Sequence, residues 1–342
     1  MAVDTLPTHT DTPVSRSASG IRIGTSASLL TILLLAFLPF IVYQSATSVM
    51  IQLFILVVLA SMWNLLAGFG GLVSIGQQAY IGVGAYTVVA LDNQGLSPFL
   101  AILFAIVTAS LLSIPTSFLA FRLRGDYFAV GTWVIAEVYR LVVIRFDSVG
   151  GGDGKSLSGL AGIDPTMRAA VVYWTALGLA VVTVLACFLL LRGRIGLALT
   201  AIRDDEVAAR AGGVDATRVK RIVYLISAAG CGAAGAVLAI DAVRVQPDAI
   251  FSVQWSAYMI VIVIIGGIGH LEGPVLGAIV FFALQQLLAD LGTWYLMVLG
   301  ILAVFFAIVV PRGLWGLIAD RTSFRLFPTS YRLENDHDRR AR

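Results

Sequence analysis

Charge is scarce in this sequence: Lys, Arg, Asp and Glu make up 13% of the 342 residues, while 58% are apolar and the mean hydropathy is +0.91. A soluble domain cannot hide that much hydrocarbon, so a water-soluble fold is excluded at the outset. Cysteine is nearly absent too. Cys187 and Cys231 both lie inside apolar runs, which suggests neither a disulfide framework nor a metal site. Of three histidines, His9 and His337 are in the tails and His270 stands alone, so no HExxH or Cys/His cluster supports a metalloenzyme. The membrane part has no Gly-x-Ser-x-Gly elbow and no paired-carboxylate cluster, which leaves an embedded enzyme without a recognised constellation. The net charge of +3 comes from basic residues at helix ends and tails, as membrane topology demands, and does not predict a nucleic-acid partner.

Gly150-Gly151-Gly152-Asp153-Gly154-Lys155-Ser156 looks at first like a phosphate-binding loop. The pattern GxxxxGK[ST] requires glycine at 149, where this chain has Val149, and no strand and helix flank the segment. Nucleotide binding is rejected here. An ATP-driven transporter built from this chain must borrow its ATPase.

Apolar runs, by contrast, are abundant. They cover 29–43, 49–67, 72–91, 99–121, 127–144, 171–191, 222–243, 255–268, 274–288 and 294–310, and the longer ones reach the ~18–20 residues that cross a bilayer as helix. The pattern predicts an all-α polytopic membrane protein with about ten transmembrane or re-entrant helices, the short runs near 255–290 suiting a re-entrant pair. Residues 1–28, rich in Ser and Thr, predict a disordered cytoplasmic tail. Residues 29–318 then form the transmembrane domain and 319–342 a basic cytoplasmic tail. The longest interior break is 147–168, with five of the 34 glycines between 150 and 159 and with Pro165, which a helix interior refuses.

The loop 192–221 organises the chain. Seven of the 23 Lys and Arg residues fall in it, and short loops so basic are retained on the cytoplasmic side. An even number of crossings must then separate it from each cytoplasmic tail. Six before and four after satisfy this, and they place Arg122 and Arg124 inside and 147–168 outside. Within the loop, Asp204 or Asp205 can cap a short helix, Glu206 favours its positive end, and Val207, Ala208 and Ala211 lie at helical spacing. Gly212 and Gly213 end it, and Asp215 is placed to cap the helix that follows. Such a rod is either a handle for a partner or a well-capped solvated loop.

The most informative intramembrane stretch is 68–84, with six glycines in 17 residues and with Ser74, Gln77, Gln78 and Tyr80, whose polar groups need partners that lipid cannot supply. It reads either as close helix packing with amides as glue or as a broken helix lining a substrate pathway. The second is preferred, because two adjacent glutamines exceed what packing requires. A second break, Gly266-Gly267-Ile268-Gly269-His270-Leu271-Glu272-Gly273-Pro274, makes the chain turn or re-enter. Within the spans, Glu137 with Arg140 and Asp241 with Arg244 are three apart and predict structural ion pairs on one helix face.

Four ordered blocks carry a family resemblance: NLLAGFGGLVSIGQQAYIGVGAY (64–86), LRGDYFAV (123–130), GRIGLALTAIRDDEVAARAGGV (193–214) and IGGIGHLEGPVLGA (265–278). Together they resemble the permease subunits of branched-chain amino-acid ABC importers, of the LivM type, over roughly 50–318. The resemblance implies an ABC importer permease fold in a bacterial inner membrane, with both termini cytoplasmic and transport of branched-chain or related amino acids. It also implies two cytoplasmic ATP-binding subunits that hold the ATP and Mg, a second related permease, an external substrate-binding protein and surrounding lipid. This chain itself would carry no cofactor. The loop is similar to the ATPase-docking loop of such importers, in the altered form E-x-A-A-x-x-G-G at Glu206, Ala208, Ala209, Gly212 and Gly213, with no proline following. Arg203, Asp204, Asp205 and Arg210 complete the expected coupling surface. The alternative is an ion-gradient-driven secondary transporter of small polar solutes, for which Asp126 and Asp290 are the available carboxylates.

Overall fold

A backbone in hydrocarbon must satisfy its own N–H and C=O groups, and this chain does so almost entirely with helices. The computed structural model describes residues 14–15, 30–40, 44–160, 162–288, 294–310, 312–322 and 332–333. The helices are α1 (30–37, continued by a 3-10 turn at Leu38–Phe40), α2 (Gln44–Asn64), α3 (Gln78–Asp92), α4 (Pro98–Ala120), α5 (Asp126–Ile144), α6 (Pro165–Arg192) and α7 (Arg194–Asp204). Then follow α8 (Glu206–Ala211), α9 (Ala216–Ala242), α10 (Pro247–Ile250), α11 (Val253–Gly266), α12 (Gly273–Leu287), α13 (Trp294–Val309) and α14 (Gly313–Thr322). The strands are two-residue pairs: β1 (Val14–Ser15) with β4 (Arg332–Leu333), and β2 (Lys155–Ser156) with β3 (Arg244–Val245). Through the first pairing residues 14–15 lie beside 332–333. Of the expected carboxyl tail, 319–322 continue α14; the remaining residues of both tails, and Asp290, lie outside the described residues.

Seven helical stretches among the described residues are long and apolar enough to cross a membrane: Thr47–Phe69, Pro98–Ala120, Asp126–Ile144, Pro165–Arg192, Ala216–Ala242, Pro247–Gly266 and Met297–Ala319. The runs 29–43, 72–91 and 274–288 give the shorter α1, α3 and α12. The run at 72–91 begins its helix only at Gln78, because the chain before it is not helical.

Burial sorts these helices by depth. The membrane window of α2 is 78% buried, which makes it the central column, packed against α6, α9, α11 and α12. That of α5 is only 17% buried, and α5 touches the bundle through Phe128, Thr132 and Ala136, one stripe at four-residue spacing. Glycine brings α3 and α9 together: a Cβ on Gly84 would stand 1.9 Å from the Gly232 carbonyl oxygen, and one on Gly235 would stand 1.9 Å from that of Ile81.

The 147–164 segment forms a cap at the end of the bundle opposite the 192–221 loop. Asp92, buried at the end of α3, accepts hydrogen bonds from Ser158 N (2.7 Å), Ser158 Oγ (2.9 Å) and Gly159 N (2.8 Å), which fastens the segment to α3. Pro165 does not interrupt anything here. It sits at the first position of α6, where proline has no N–H to lose, and Asp164 caps the helix by accepting from Thr166 N (3.1 Å) and Met167 N (3.2 Å). The Glu137–Arg140 pair forms as expected and extends to Asp248, which ties α5 to α10. The Asp241–Arg244 pair does not form. Helix α9 stops at Ala242, Val243 takes φ +62°, and Arg244 turns away in β3 to donate to the Asp153 carbonyl at 3.2 Å.

Candidate functional site

The 192–221 loop is a helix pair, with α7 leading into α8. Glycine permits the turn out of α6, since a Cβ on Gly196 would stand 1.9 Å from the Leu191 carbonyl oxygen. Helix α7 buries Gly196, Leu199 and Ile202 and ends at Asp204, so the cap of α8 is Asp205. Its extended backbone lets its carboxylate accept from Val207 N (2.8 Å) and Ala208 N (3.0 Å). At the other end Gly213 takes φ +86°, Gly213 N–H donates to Arg210 and Val214 N–H donates to Ala209, a Schellman stop that only a residue tolerant of positive φ completes easily. Asp215 caps α9 through Arg218 N at 2.9 Å.

Among the expected coupling residues, the structure separates those that hold the unit together from those it displays. Ala209 is buried in a small apolar cluster with Ile202 and Ala216, where a larger side chain would push α8 off its seat. Glu206 is tied on both oxygens, by Arg210 at 2.6 Å and by Lys220 of α9 at 2.6 Å. Arg203, Asp204, Ala208, Arg210, Gly212 and Gly213 are exposed, and so is Val207, at 78% the most exposed large apolar side chain of the loop.

Lys220, and then Arg210, hold the Glu206 carboxyl below its ordinary pKa. A lowered folded-state pKa contributes stability above the unfolded pKa that is lost as pH falls through the folded value. Acidification into the carboxylate range, or Glu206→Gln, should therefore loosen α8 from α9. Amide exchange over 206–211 should quicken more than that over 216–242, and only modestly, because the side chain is 37% exposed and screened.

The second candidate region begins where α2 ends. After Asn64 the chain widens into a π turn at Leu65–Phe69, passes Gly71 at φ +66°, and runs without helix to Gln77. Ser74, Gln77, Gln78 and Tyr80 are each at most 1% exposed, so the break encloses its polar side chains while Gly71 and Val73 stay exposed. Its orphaned backbone groups are met from three other helices: Trp63 Nε1 donates to the Ser74 carbonyl (2.8 Å), Ile75 N–H donates to Thr132 Oγ1 (3.2 Å), and Ser256 Oγ donates to the Ile75 carbonyl (3.0 Å). Ser256 also bonds Gln78 Oε1. Gln77 Oε1 accepts from Ser227 Oγ at 3.4 Å, while its Nε2 finds no partner among the described residues. The Tyr80 hydroxyl donates to that of Tyr224 at 2.9 Å. A nearby narrow crevice is lined by Ser61, Asn64, Phe69, Cys187 and Leu271.

The two glycine-rich breaks, separate in sequence, are one structure in space. Asn64 Nδ2 donates to the His270 carbonyl (2.8 Å) and Asn64 Oδ1 accepts from Gly269 N (2.9 Å), while a Cβ on Gly68 would stand 2.6 Å from that same Gly269 nitrogen. Sequence reasoning missed Trp63, Asn64, Thr132, Ser227 and Ser256 as partners. The only available signal was that a broken backbone needs donors and acceptors from somewhere.

Comparison with known proteins gives a consistent outcome. The family model described as the branched-chain amino acid transport system / permease component matches residues 45–308. The high-affinity branched-chain amino acid transport system permease protein LivM of Salmonella typhimurium is 28% identical, over 81% of this chain and 71% of the relative. That of Escherichia coli is 29% identical over the same shares. A probable branched-chain amino acid transport permease protein LivM of Methanocaldococcus jannaschii is 24% identical over 60% of this chain and 59% of its own. No solved structure matches the chain.

Proposed function

This chain belongs to the permease components of branched-chain amino acid ABC transport systems, and from that premise we propose that its α7–α8 unit is the surface on which the system's ATP-hydrolysing subunits act. The chain is a multi-pass membrane protein of a family whose permease has no catalytic activity of its own. Two cytoplasmic ATP-binding subunits carry ATP and Mg, a second related permease completes the pathway, and an external binding protein delivers a branched-chain or related amino acid. Both termini and the α7–α8 unit then face the cytoplasm of a bacterial inner membrane, in accord with the basic charge of 192–221.

The observation that carries this reading is the construction of α8: six residues capped at both ends, fastened to α9 through Glu206 and Lys220, with Val207 left in solvent. A solvated connector needs none of this. A lever does, because force is transmitted only through an element that does not unravel. When ATP closes the ATPase pair, α7–α8 moves with it, and α6 and α9, attached at either end, shift the bundle between closed and open access. The pathway includes the broken segment, where Ser74, Gln77, Gln78 and Tyr80 supply neutral polar groups that replace part of the hydration of a zwitterion without holding it tightly.

Crosslinking tests the docking. In membranes containing the whole transporter, a photoreactive group on Ala208→Cys should capture an ATP-binding subunit, and one on Asp153→Cys, at the opposite end of the bundle, should not. Capture from Asp153 and not from Ala208 would reverse the orientation and end this reading.

A further inference from the structure

The coupling unit meets the broken segment directly and, through Arg203, the turn that is bonded to it. Arg203, at the end of α7, lies against the turn between α11 and α12: a Cβ on Gly269 would stand 3.3 Å from Arg203 Nη1 and equally far from the Gly68 carbonyl oxygen. Helix α7 also packs directly on the π turn at 65–69. Asn64, 2% exposed, stands at the head of that π turn. Its side chain does not cap its own turn. Both of its hydrogen bonds cross about 200 residues of chain, to Gly269 N and to the His270 carbonyl. Trp63, the residue before it, holds the far side of the break at Ser74. The last turn of α2 therefore grips the 269–270 turn with one residue and the segment bearing Gln77 and Gln78 with the next.

We propose that Asn64 is the positioning residue that carries a displacement of the α7–α8 unit into the broken segment at 65–77. This rests on the reading of α7–α8 as the ATPase-facing unit. Displacing α7 moves Arg203 against Gly269. The two-point bond to Asn64 converts that motion into rotation of the π turn, and the Gly68–Gly269 approach leaves no slack in which it could dissipate. A single hydrogen bond would swivel, whereas a donor and an acceptor on one amide fix the orientation. The π turn suits the task, since single π turns in α-helices recur at functional sites.

The test uses the whole transporter in liposomes, with its ATP-binding and substrate-binding subunits, and compares Asn64→Ala and Asn64→Asp with the native chain. Asn64→Asp keeps size and shape but has no N–H to offer the His270 carbonyl. Both variants should retain the ATP-binding subunits and hydrolyse ATP, while substrate moved per ATP falls by about tenfold or more, the scale of a coupling free energy between sites. The nucleotide-dependent change in thiol labelling at Val73→Cys, in the exposed part of the break, should disappear. Protection of Ala208→Cys by the ATP-binding subunit should remain. If Asn64→Ala does not accumulate, Asn64→Asp decides. A native ratio of substrate to ATP in the scored variant, or a parallel fall of both rates that leaves the ratio unchanged, would overturn the proposal. Failure of the native chain to protect Ala208→Cys would instead remove the docking reading beneath it.

Discussion

Val207→Asp should leave this chain folded in the membrane and stop it transporting. The side chain is 78% exposed and packs against nothing that holds α8 in place, so its loss costs the isolated fold almost nothing. The cap at Asp205, the Glu206 tie and the Gly213 stop all remain. If α8 seats in an ATP-binding subunit, the same valine becomes a buried apolar anchor, and a carboxylate there is desolvated without a partner. Losing such an anchor costs ~2 kcal/mol or more, roughly a thirtyfold weaker grip. ATP-dependent uptake should fall to background while chain abundance and thermal stability stay native. Glu206→Lys is a poorer probe, because it sets three cations together and breaks the attachment of α8 to α9 before any partner is involved. Uptake at the native rate by Val207→Asp would show that this face touches nothing that matters.

Gly84→Val should have the largest effect on stability. Its Cβ would stand 1.9 Å from the Gly232 carbonyl oxygen and 2.8 Å from the Gly232 Cα, and what it meets is helix backbone, which cannot rotate away as a side chain can. The reciprocal approach of Gly235 to Ile81 lies one turn along the same seam, so separating the helices at one point opens the other. The ~1–3 kcal/mol of ordinary overpacking is a lower limit here, and the variant should fail to accumulate as folded protein, as measured by size-exclusion recovery and detergent thermal melting. Gly178→Ala in α6 is the matched control. Nothing lies within 4 Å of its Cβ, and alanine in a helix interior is favoured over glycine by ~1 kcal/mol, so that variant should melt no lower than the native chain.

Sequence patterns made the capped loop legible almost residue by residue. Capping depends on neighbours within four positions, so the Asp205 cap, the Gly212–Gly213 stop and the Asp215 cap follow from local chemistry. Choosing between Asp204 and Asp205 required knowing where α7 ended. The Asp241–Arg244 pair failed for a similar reason: spacing of three pairs two charges only while the helix lasts, and Val243 ends it. Pro165 was misplaced because proline forbids a helix interior and favours its first turn, and the sequence alone does not say which position it holds.

By itself, the sequence determined that the chain lives in a bilayer as helices, which of its ends carry charge, and where glycine forbids regular helix, since these depend on hydrophobicity summed over a window and on backbone freedom at single residues. Tertiary structure alone decided that Ala209 faces inward, that Ser74 and Gln77 are enclosed by α2, α5, α9 and α11, and that the breaks at 65–77 and 267–272 are joined through Asn64. Hydrogen bonds across 200 residues leave no periodicity in the chain. They exist because a backbone broken inside hydrocarbon has no water to turn to, and takes its partners from whichever helix the packing brings near.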